Sequence, residues 1–209
     1  MKLILENWKR FLQETEERAA RPPYTLPISL DELLAKVMNF ISANSPKPKG
    51  AALKMKKRLL QKGRICDPTF GLCFDAATLM QHMAGGKHHS GLIKRGSTKV
   101  PIGPKEPKEI SSHWWLEKKP QRKDDKETKI YDPTADQFTF GAPPPYSAAR
   151  AGASDFGWPY FDSKGPRYSE TVPSKAVLGF AKDFKQWNRE QHGEDTAYGM
   201  DWWLEEINK

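Results

Sequence analysis

Residues 71–83 read GLCFDAATLMQHM and put a cysteine at the start of a helix-forming stretch. Alanine, leucine and methionine favour a helix here, and Gly85 and Gly86 end it. The pattern therefore predicts that Cys73 lies in the first turn of a helix. The partial positive charge at a helix N-terminus favours the thiolate, which is the nucleophilic form of cysteine.

A histidine and an aspartate follow in strand-like segments. In residues 113–117, HWWLE, alternation sends His113, Trp115 and Glu117 to one face of a short strand. A second strand would end at Asp132, and the charged residues between the two strands predict a solvated hairpin connection. On adjacent strands, Asp132 would orient the His113 imidazole as the third member of a catalytic triad does. The trio is typical of cysteine-dependent acyl transfer.

Three sequence blocks resemble the signature blocks of the transglutaminase-like superfamily, which is related to the papain-like cysteine peptidases. In the superfamily's order, the blocks are Gly71-x-Cys73 with Ala76 and Ala77, His113-x-Trp115-x-Glu117, and Asp132-Pro133-Thr134. The resemblance covers about a third of the chain, residues 70–138. It implies that Cys73 is the nucleophile, His113 the general acid and base, and Asp132 the orienting carboxylate.

The resemblance implies the fold of the core, and composition and periodicity indicate the organisation of the flanks. An α+β fold is expected, with a papain/transglutaminase-like core in which the nucleophile helix packs on a small antiparallel sheet, and with extra helices at both termini. The chain divides into an N-terminal helical segment at 1–45, a catalytic core at 46–140, a loop or lid rich in proline, glycine and aromatic residues at 141–173, and C-terminal helices at 174–209. These segments are expected to form one compact domain.

Local signals place the flanking helices. Ser29 is the N-cap of one helix, with Glu32 completing a capping box, and a later helix runs from Ser174 to just before Gly193. The tail at 201–207 is expected to form a short helix or a docking segment. The predicted apolar faces are Ile4, Trp8, Phe11 and Leu12 in a first helix, Leu33, Leu34, Val37, Met38 and Ile41 in the capped helix, and Val177, Phe180, Ala181, Phe184 and Trp187 in the later one.

The chain departs from the papain pattern at the oxyanion hole. The papain-type glutamine before the nucleophile has no counterpart, because residues 66–70 read CDPTF. Oxyanion stabilisation would then come from the Cys73 backbone N–H and a second donor, for which Gln137 and Trp114 are the candidates. A tryptophan at position 114, where small residues are common in the superfamily, indicates a different path for the substrate.

Each residue type in the trio also has an ordinary structural role. A cysteine on an Ala/Leu/Met helix is commonly a packing residue, and Asp-Pro favours a turn. Zinc is a second chemical alternative, but spacing does not favour it because there is no C-x-x-C or H-x-x-x-H pair. No cofactor is expected, since the lysines in residues 123–127, KDDKE, would compete with calcium. The zinc alternative would use Cys66, Cys73, His82, His88, His89, His113 and Asp132.

Composition limits the class of protein and its compartment. The chain has 209 residues, of which 37% are hydrophobic and 29% charged, and its two cysteines provide no disulfide framework. No apolar run approaches a membrane span, and the first residues are too briefly apolar for a signal peptide, so a cytoplasmic protein without membrane contact is expected. The opening of the chain resembles proteins encoded by marine bacteriophages, which would place it in the host cytoplasm or the virion.

The formal charge of +8 is concentrated in residues 47–64, which hold eight basic residues and no acid. Lys54, Lys56, Lys57 and Arg58 are the candidate contacts for nucleic acid or another polyanion. A solvated helix face is favoured, because the aromatic residues of single-strand binders are missing from this run.

Three functions follow from these patterns. Hydrolysis of an amide or peptide bond in a protein or peptide substrate, through a thioester on Cys73, is the favoured one. With an amine instead of water as the acceptor, the same intermediate gives a transglutaminase-type acyl transferase. The third is a noncatalytic, phage-encoded or virion-associated protein that binds nucleic acid through the basic run.

Overall fold

The computed structural model describes residues 23–44, 54, 71–100, 108–119, 128–135, 160–162 and 172–209. This part of the chain forms a mixed α+β fold with a small antiparallel sheet, which confirms the expected fold class at that level. Its helices are α1 (Leu30–Asn44), α2 (Cys73–Met83), α3 (Lys87–Ser90), α4 (Lys175–His192) and α5 (Met200–Glu206). Its strands are β1 (Leu92–Val100), β2 (Lys108–Lys118), β3 (Lys129–Tyr131) and β4 (Tyr160–Asp162).

The sheet has the strand order β3-β2-β1-β4, and every neighbouring pair is antiparallel. Lys118 pairs with Lys129, so β2 and β3 form the predicted hairpin. Ile93, Leu116 and Tyr131 are directly opposite one another across β1, β2 and β3, and all three are buried in the core with α2. Residues in register share a face of the sheet, so this row marks the face on which α2 packs.

A β-bulge lies in β2 immediately before His113. Gly96 of β1 pairs with His113, whereas Thr98, two residues on, pairs with Ile110. Two residues of β2 therefore face Ser97 alone. Bulges bend a strand and change the direction of the side chains beside them. Because this bulge directly precedes the histidine, it contributes to the orientation of that side chain.

The two long flanking helices form as the capping signals predict. The Glu32 amide donates to Ser29 Oγ at 3.1 Å at the start of α1, and the Val177 amide donates to Ser174 Oγ at 3.3 Å at the start of α4. Gly193 ends α4 in the left-handed conformation, with φ of 70°. The helices meet in the core, where the rings of Phe40 and Phe184 pack edge to face at 5.4 Å. The buried residues of α1 include Leu33, Leu34, Val37, Met38 and Ile41, and those of α4 include Val177, Ala181 and Phe184.

Several sequence-based predictions lie outside the described residues. These are the helix with Ile4 and Trp8, most of the basic run, Cys66, Gln137 and nearly all of the proposed lid. Of the candidate polyanion contacts only Lys54 is described, and it is exposed. Among the helices listed above, none is both long enough and apolar enough to cross a membrane. The predicted short helix in the tail is confirmed as α5.

Candidate active site

Cys73 is the first residue of α2, as predicted, and the start of this helix is unusual. Leu72 occupies the N-cap position and offers no side-chain cap, and Gly71 before it has a positive φ of 86°. The first bond of the helix at that end runs from the Ala76 amide to the Leu72 carbonyl oxygen at 2.9 Å. The amides of Cys73, Phe74 and Asp75 precede that bond. The first amides of any helix have no acceptor within the helix itself, and a polar N-cap residue ordinarily accepts from one of them.

His113 and Asp132 form a buried pair, as their spacing predicts. His113 Nε2 and Asp132 Oδ2 are 2.5 Å apart, and the two residues are only 2% and 1% exposed. The imidazole stacks beside Trp115, with a ring-to-ring distance of 6.2 Å and an interplanar angle of 25°. Burial and stacking fix the plane of the ring, so one of its nitrogens points at the carboxylate.

Thr134 holds the other oxygen of the same carboxylate. Its amide and its hydroxyl both donate to Asp132 Oδ1, at 2.9 and 3.0 Å. Thr134 is fully buried. Asp132 therefore has both of the roles that its sequence predicts. Its Oδ1 accepts the bonds of an Asx turn, and its Oδ2 pairs with the His113 imidazole. The role of Thr134 was not predicted, although an aspartate two residues before a threonine, as in Asp-Pro-Thr, is a recognisable turn signal.

The charge state of His113 follows from its neighbours. Burial lowers the pKa of His113, but the charge and hydrogen bond of Asp132 and a further hydrogen bond with Cys73 outweigh burial and raise it to about 10. The imidazolium is then the favoured form at neutral pH. Because Asp132 engages Nε2, the nitrogen left for the Cys73 thiol is Nδ1. The histidine thus links a partly buried thiol to a buried carboxylate.

Trp114, a candidate oxyanion donor, lies on the other face of the strand. It pairs in register with Arg95, whose guanidinium carbon lies 5.5 Å from the centre of the indole. The indole also packs edge to face on Phe74 at 4.8 Å. Since Phe74 follows Cys73 in the chain, Trp114 lies beside the first turn of α2.

The candidate zinc ligands are dispersed. His82 is fully buried, edge to face with Trp203 at 5.7 Å, whereas His88 and His89 are exposed on α3. In the described ranges no group of three or more His, Cys, Asp or Glu side chains is arranged to hold a metal ion. Cys66 is not among the described residues. The described candidates that do come together are Cys73, His113 and Asp132, and they form a chain of hydrogen bonds rather than a ligand set.

Comparison with known proteins adds no assignment to this geometry. No protein-family model, curated protein or solved structure was found to match the chain. The functional interpretation therefore rests on the three residues that the fold brings together, which are 40 and 19 positions apart in the sequence.

Proposed function

We propose that this protein is a cysteine-dependent hydrolase of amide or peptide bonds that works through a thioester on Cys73. The observation that carries the proposal is the buried His113–Asp132 pair, 2.5 Å apart, with His113 also hydrogen-bonded to a thiol at a helix N-terminus. A cysteine that only packs in the core and an aspartate that only caps a turn would not need a histidine between them. The arrangement supports a papain/transglutaminase-like core, in which the nucleophile helix packs on a sheet whose neighbouring strands supply the other two residues.

In the acylation step, the Cys73 thiolate, whose proton is already on His113 Nδ1, attacks the substrate carbonyl carbon. The new C–S bond gives a tetrahedral intermediate with the negative charge on oxygen. His113 then donates the proton to the leaving nitrogen, the C–N bond breaks, and a free amine departs from a thioester. Asp132 stays ionised and stabilises the imidazolium throughout.

In the deacylation step, His113 takes a proton from water, and the hydroxide formed attacks the thioester carbonyl. The C–S bond breaks, the carboxylic acid leaves, and the proton stays on His113, which restores the thiolate and imidazolium pair. An amine in place of water would give the transferase reaction. No feature among the described residues favours the amine, so hydrolysis is the activity proposed.

The start of α2 supplies the donors that the oxyanion needs. The Cys73 amide precedes the first intrahelical bond, and Leu72 offers no side-chain cap. Backbone donors at a helix N-terminus are suited to a developing negative charge because they are already oriented and lie at the positive end of the helix dipole. The uncapped turn compensates for the missing papain-type glutamine.

The proposal is tested by alkylating the folded protein with iodoacetamide from about pH 5.5 to 8.5 and measuring each cysteine by peptide mass spectrometry. We expect Cys73 to react rapidly at the acidic end, where an ordinary thiol does not, and the His113→Ala substitution to remove this reactivity. His88→Ala is the matched control, since His88 is exposed on α3. Slow alkylation of Cys73 that is indifferent to His113 would contradict the proposal.

Turnover is tested with an activated ester, p-nitrophenyl acetate. We expect an acetyl thioester on Cys73 that forms and then hydrolyses, and no adduct at this position in Cys73→Ala. Adding methylamine distinguishes the acceptors, because a transferase would release N-methylacetamide in preference to acetate. A stable adduct that neither water nor the amine removes would leave a reactive thiol without a catalytic cycle, against the proposal.

A further inference from the structure

A groove of about 440 Å³ lies at the end of α2 opposite to the thiol. Its walls are the segment at 23–27, before α1, and the segment at 196–205, which includes most of α5. Gly199 joins the groove to α2, because its amide donates to the Met83 carbonyl oxygen at 2.9 Å. Since α2 has 11 residues, this end lies about 16 Å along the helix from Cys73. The groove is therefore separate from the candidate active site.

The groove combines aromatic surface with carboxylates. Tyr24 and Trp202 line it, together with Asp201 and Glu205. Asp201 and Glu205 are four residues apart on α5, so they lie on one face of that helix. Among the described residues that line the groove, there is no lysine, arginine or histidine. The lining is thus both apolar and acidic.

The C-terminal end of α2 adds to the negative potential. A helix carries a partial negative charge at its C-terminus, and Gly199 lies so close to this end that a Cβ atom there would be 2.4 Å from the His82 carbonyl oxygen. Among the described residues, Lys185 pairs with Asp201 at 3.0 Å from outside the lining. Lys209 pairs with Glu206, also outside the lining. Lys185 and Lys209 both interact electrostatically with Glu205, which lines the groove, so a ligand ammonium would compete with them for this carboxylate.

Hydrogen bonds hold the walls in place without a ligand. Asp201 Oδ2 accepts from the Thr196 hydroxyl at 2.7 Å and from the Ala197 amide at 2.9 Å. The Tyr198 hydroxyl donates to Glu194 at 2.8 Å, and Glu194 pairs with Lys36 at 3.1 Å. A groove built in this way is preformed, as small-molecule sites usually are, and its volume lies in their range of roughly 300–1,000 Å³.

We propose that this groove binds an alkylammonium group, with the ammonium at Glu205 and over the Trp202 ring and the hydrocarbon stem along Tyr24. Aromatic faces attract cations, and a carboxylate beside the ring adds charge attraction. An anion would be repelled by the two carboxylates and by the negative end of α2. A neutral ligand would gain no charge attraction from them. The same ammonium chemistry occurs in a lysine side chain of a peptide and in a free polyamine.

Isothermal titration calorimetry of the full chain with defined probes tests the proposal. The probes are N-acetyl-lysine methylamide, spermidine, and N-acetyl-norleucine methylamide as the neutral analogue of the first. We expect saturable one-site binding of an ammonium probe and none of the norleucine compound. The tighter of the two ammonium probes identifies the source, peptide or polyamine. Absence of saturable binding for both, or equal binding of the norleucine compound, would overturn the proposal.

Substitutions locate the binding. We expect Glu205→Gln and Trp202→Leu each to weaken binding roughly threefold to thirtyfold, with Trp202→Phe between Trp202→Leu and the unaltered protein. Glu206→Gln is the matched control, because it removes a neighbouring carboxylate that does not line the groove, and it should change the affinity less than about twofold. An equal loss in Glu205→Gln and Glu206→Gln would show general charge attraction instead. Cys73→Ala should bind the probes unchanged, so this result is independent of the proposed enzyme activity.

Discussion

The two ends of α2 differ in how their backbone groups are capped. At the C-terminal end, carbonyl oxygens accept bonds from chain outside the helix, among them Gln81 from the Gly86 amide at 2.8 Å and Met83 from the Gly199 amide at 2.9 Å. At the N-terminal end, Leu72 provides no side-chain cap. The helix is therefore fixed to the rest of the fold at its C-terminal end, whereas the N-terminal end that carries Cys73 receives no side-chain cap from Leu72.

Replacing Asp132 with asparagine should have the largest effect, because it removes the charge that His113 depends on. Without the carboxylate, the two largest contributions that raise the pKa of His113 are removed while burial still lowers it, so the imidazolium is disfavoured. Breaking a buried ion pair costs about 3–5 kcal/mol of unfolding free energy. Urea unfolding measures this cost, and alkylation of Cys73 at acidic pH should slow in parallel. An unchanged alkylation rate in a folded Asp132→Asn protein would remove Asp132 from the triad.

The same pair predicts a pH dependence of stability. The folded-state pKa of His113, about 10, lies above its ordinary value of 6.5. The stabilisation by the charged pair is then fully present below about pH 6.5 and is lost as the pH rises through about 10. Urea unfolding can be measured between about pH 6 and 9.5, which lies below the range in which Tyr131 titrates. As the pH rises, the unfolding free energy of the unaltered protein should fall relative to that of His113→Asn. A constant difference between the two proteins would contradict the raised pKa.

At the other end of α2, Gly199→Ala should destabilise the protein without changing the thiol. The added Cβ would lie 2.4 Å from the His82 carbonyl oxygen, so the backbone must move and the bond to Met83 weakens. A cost of about 1–3 kcal/mol is typical of such overpacking. Gly179→Ala in α4 is the control, since its Cβ would meet no atom within 4 Å and should stabilise the helix by about 0.5–1 kcal/mol. If both substitutions lower the unfolding free energy equally, the close approach at Gly199 is not the cause.

Thr134→Val should affect the reaction more than the fold. Valine keeps the volume and the backbone bond to Asp132 Oδ1 but loses the hydroxyl bond at 3.0 Å. A hydrogen bond to a charged group contributes about 1.5–3 kcal/mol, so we expect Cys73 alkylation at acidic pH to slow by roughly tenfold or more. Thr134→Ser, which keeps the hydroxyl, should restore the rate. A purely structural threonine would instead change the melting temperature and leave the pH profile of alkylation as it was.

The elements that the sequence predicts correctly are those with local signals. Ser29 and Ser174 cap their helices, Gly193 ends α4, and the alternating residues from His113 onward form a strand that pairs with the segment ending at Tyr131. Each of these signals lies within a few residues of the structure it determines. The meeting of His113 with Asp132 was also predictable, because a hairpin connection joins the two segments.

The features that the sequence did not predict depend on distant pairing. β1 carries two basic residues in its first half, yet Lys94 is 2% exposed and pairs with Glu117 at 3.6 Å. Lys36 on α1 likewise lies buried against Asn188, at 3.3 Å, which belongs to another helix far along the chain. Charged residues favour solvent unless a partner is buried with them, and that partner is fixed only by the tertiary fold. The β-bulge before His113 could not be predicted either, because it depends on the register in which β1 and β2 pair.

The smallest expected effect is that of a side-chain cap added at position 72. It is the sharpest test of the contrast between the two ends of α2, because stability should rise while the reactivity of Cys73 falls. Leu72→Ser and Leu72→Ala lose the same partly buried apolar side chain, but only serine can cap the helix. Relative to alanine, serine should raise the unfolding free energy by about 0.5–2 kcal/mol. It should also slow the acetylation of Cys73 by p-nitrophenyl acetate, because its hydroxyl oxygen competes with the oxyanion for the amides of the first turn. If serine raises both stability and reactivity, the uncapped turn does not serve the oxyanion, and another donor must be sought.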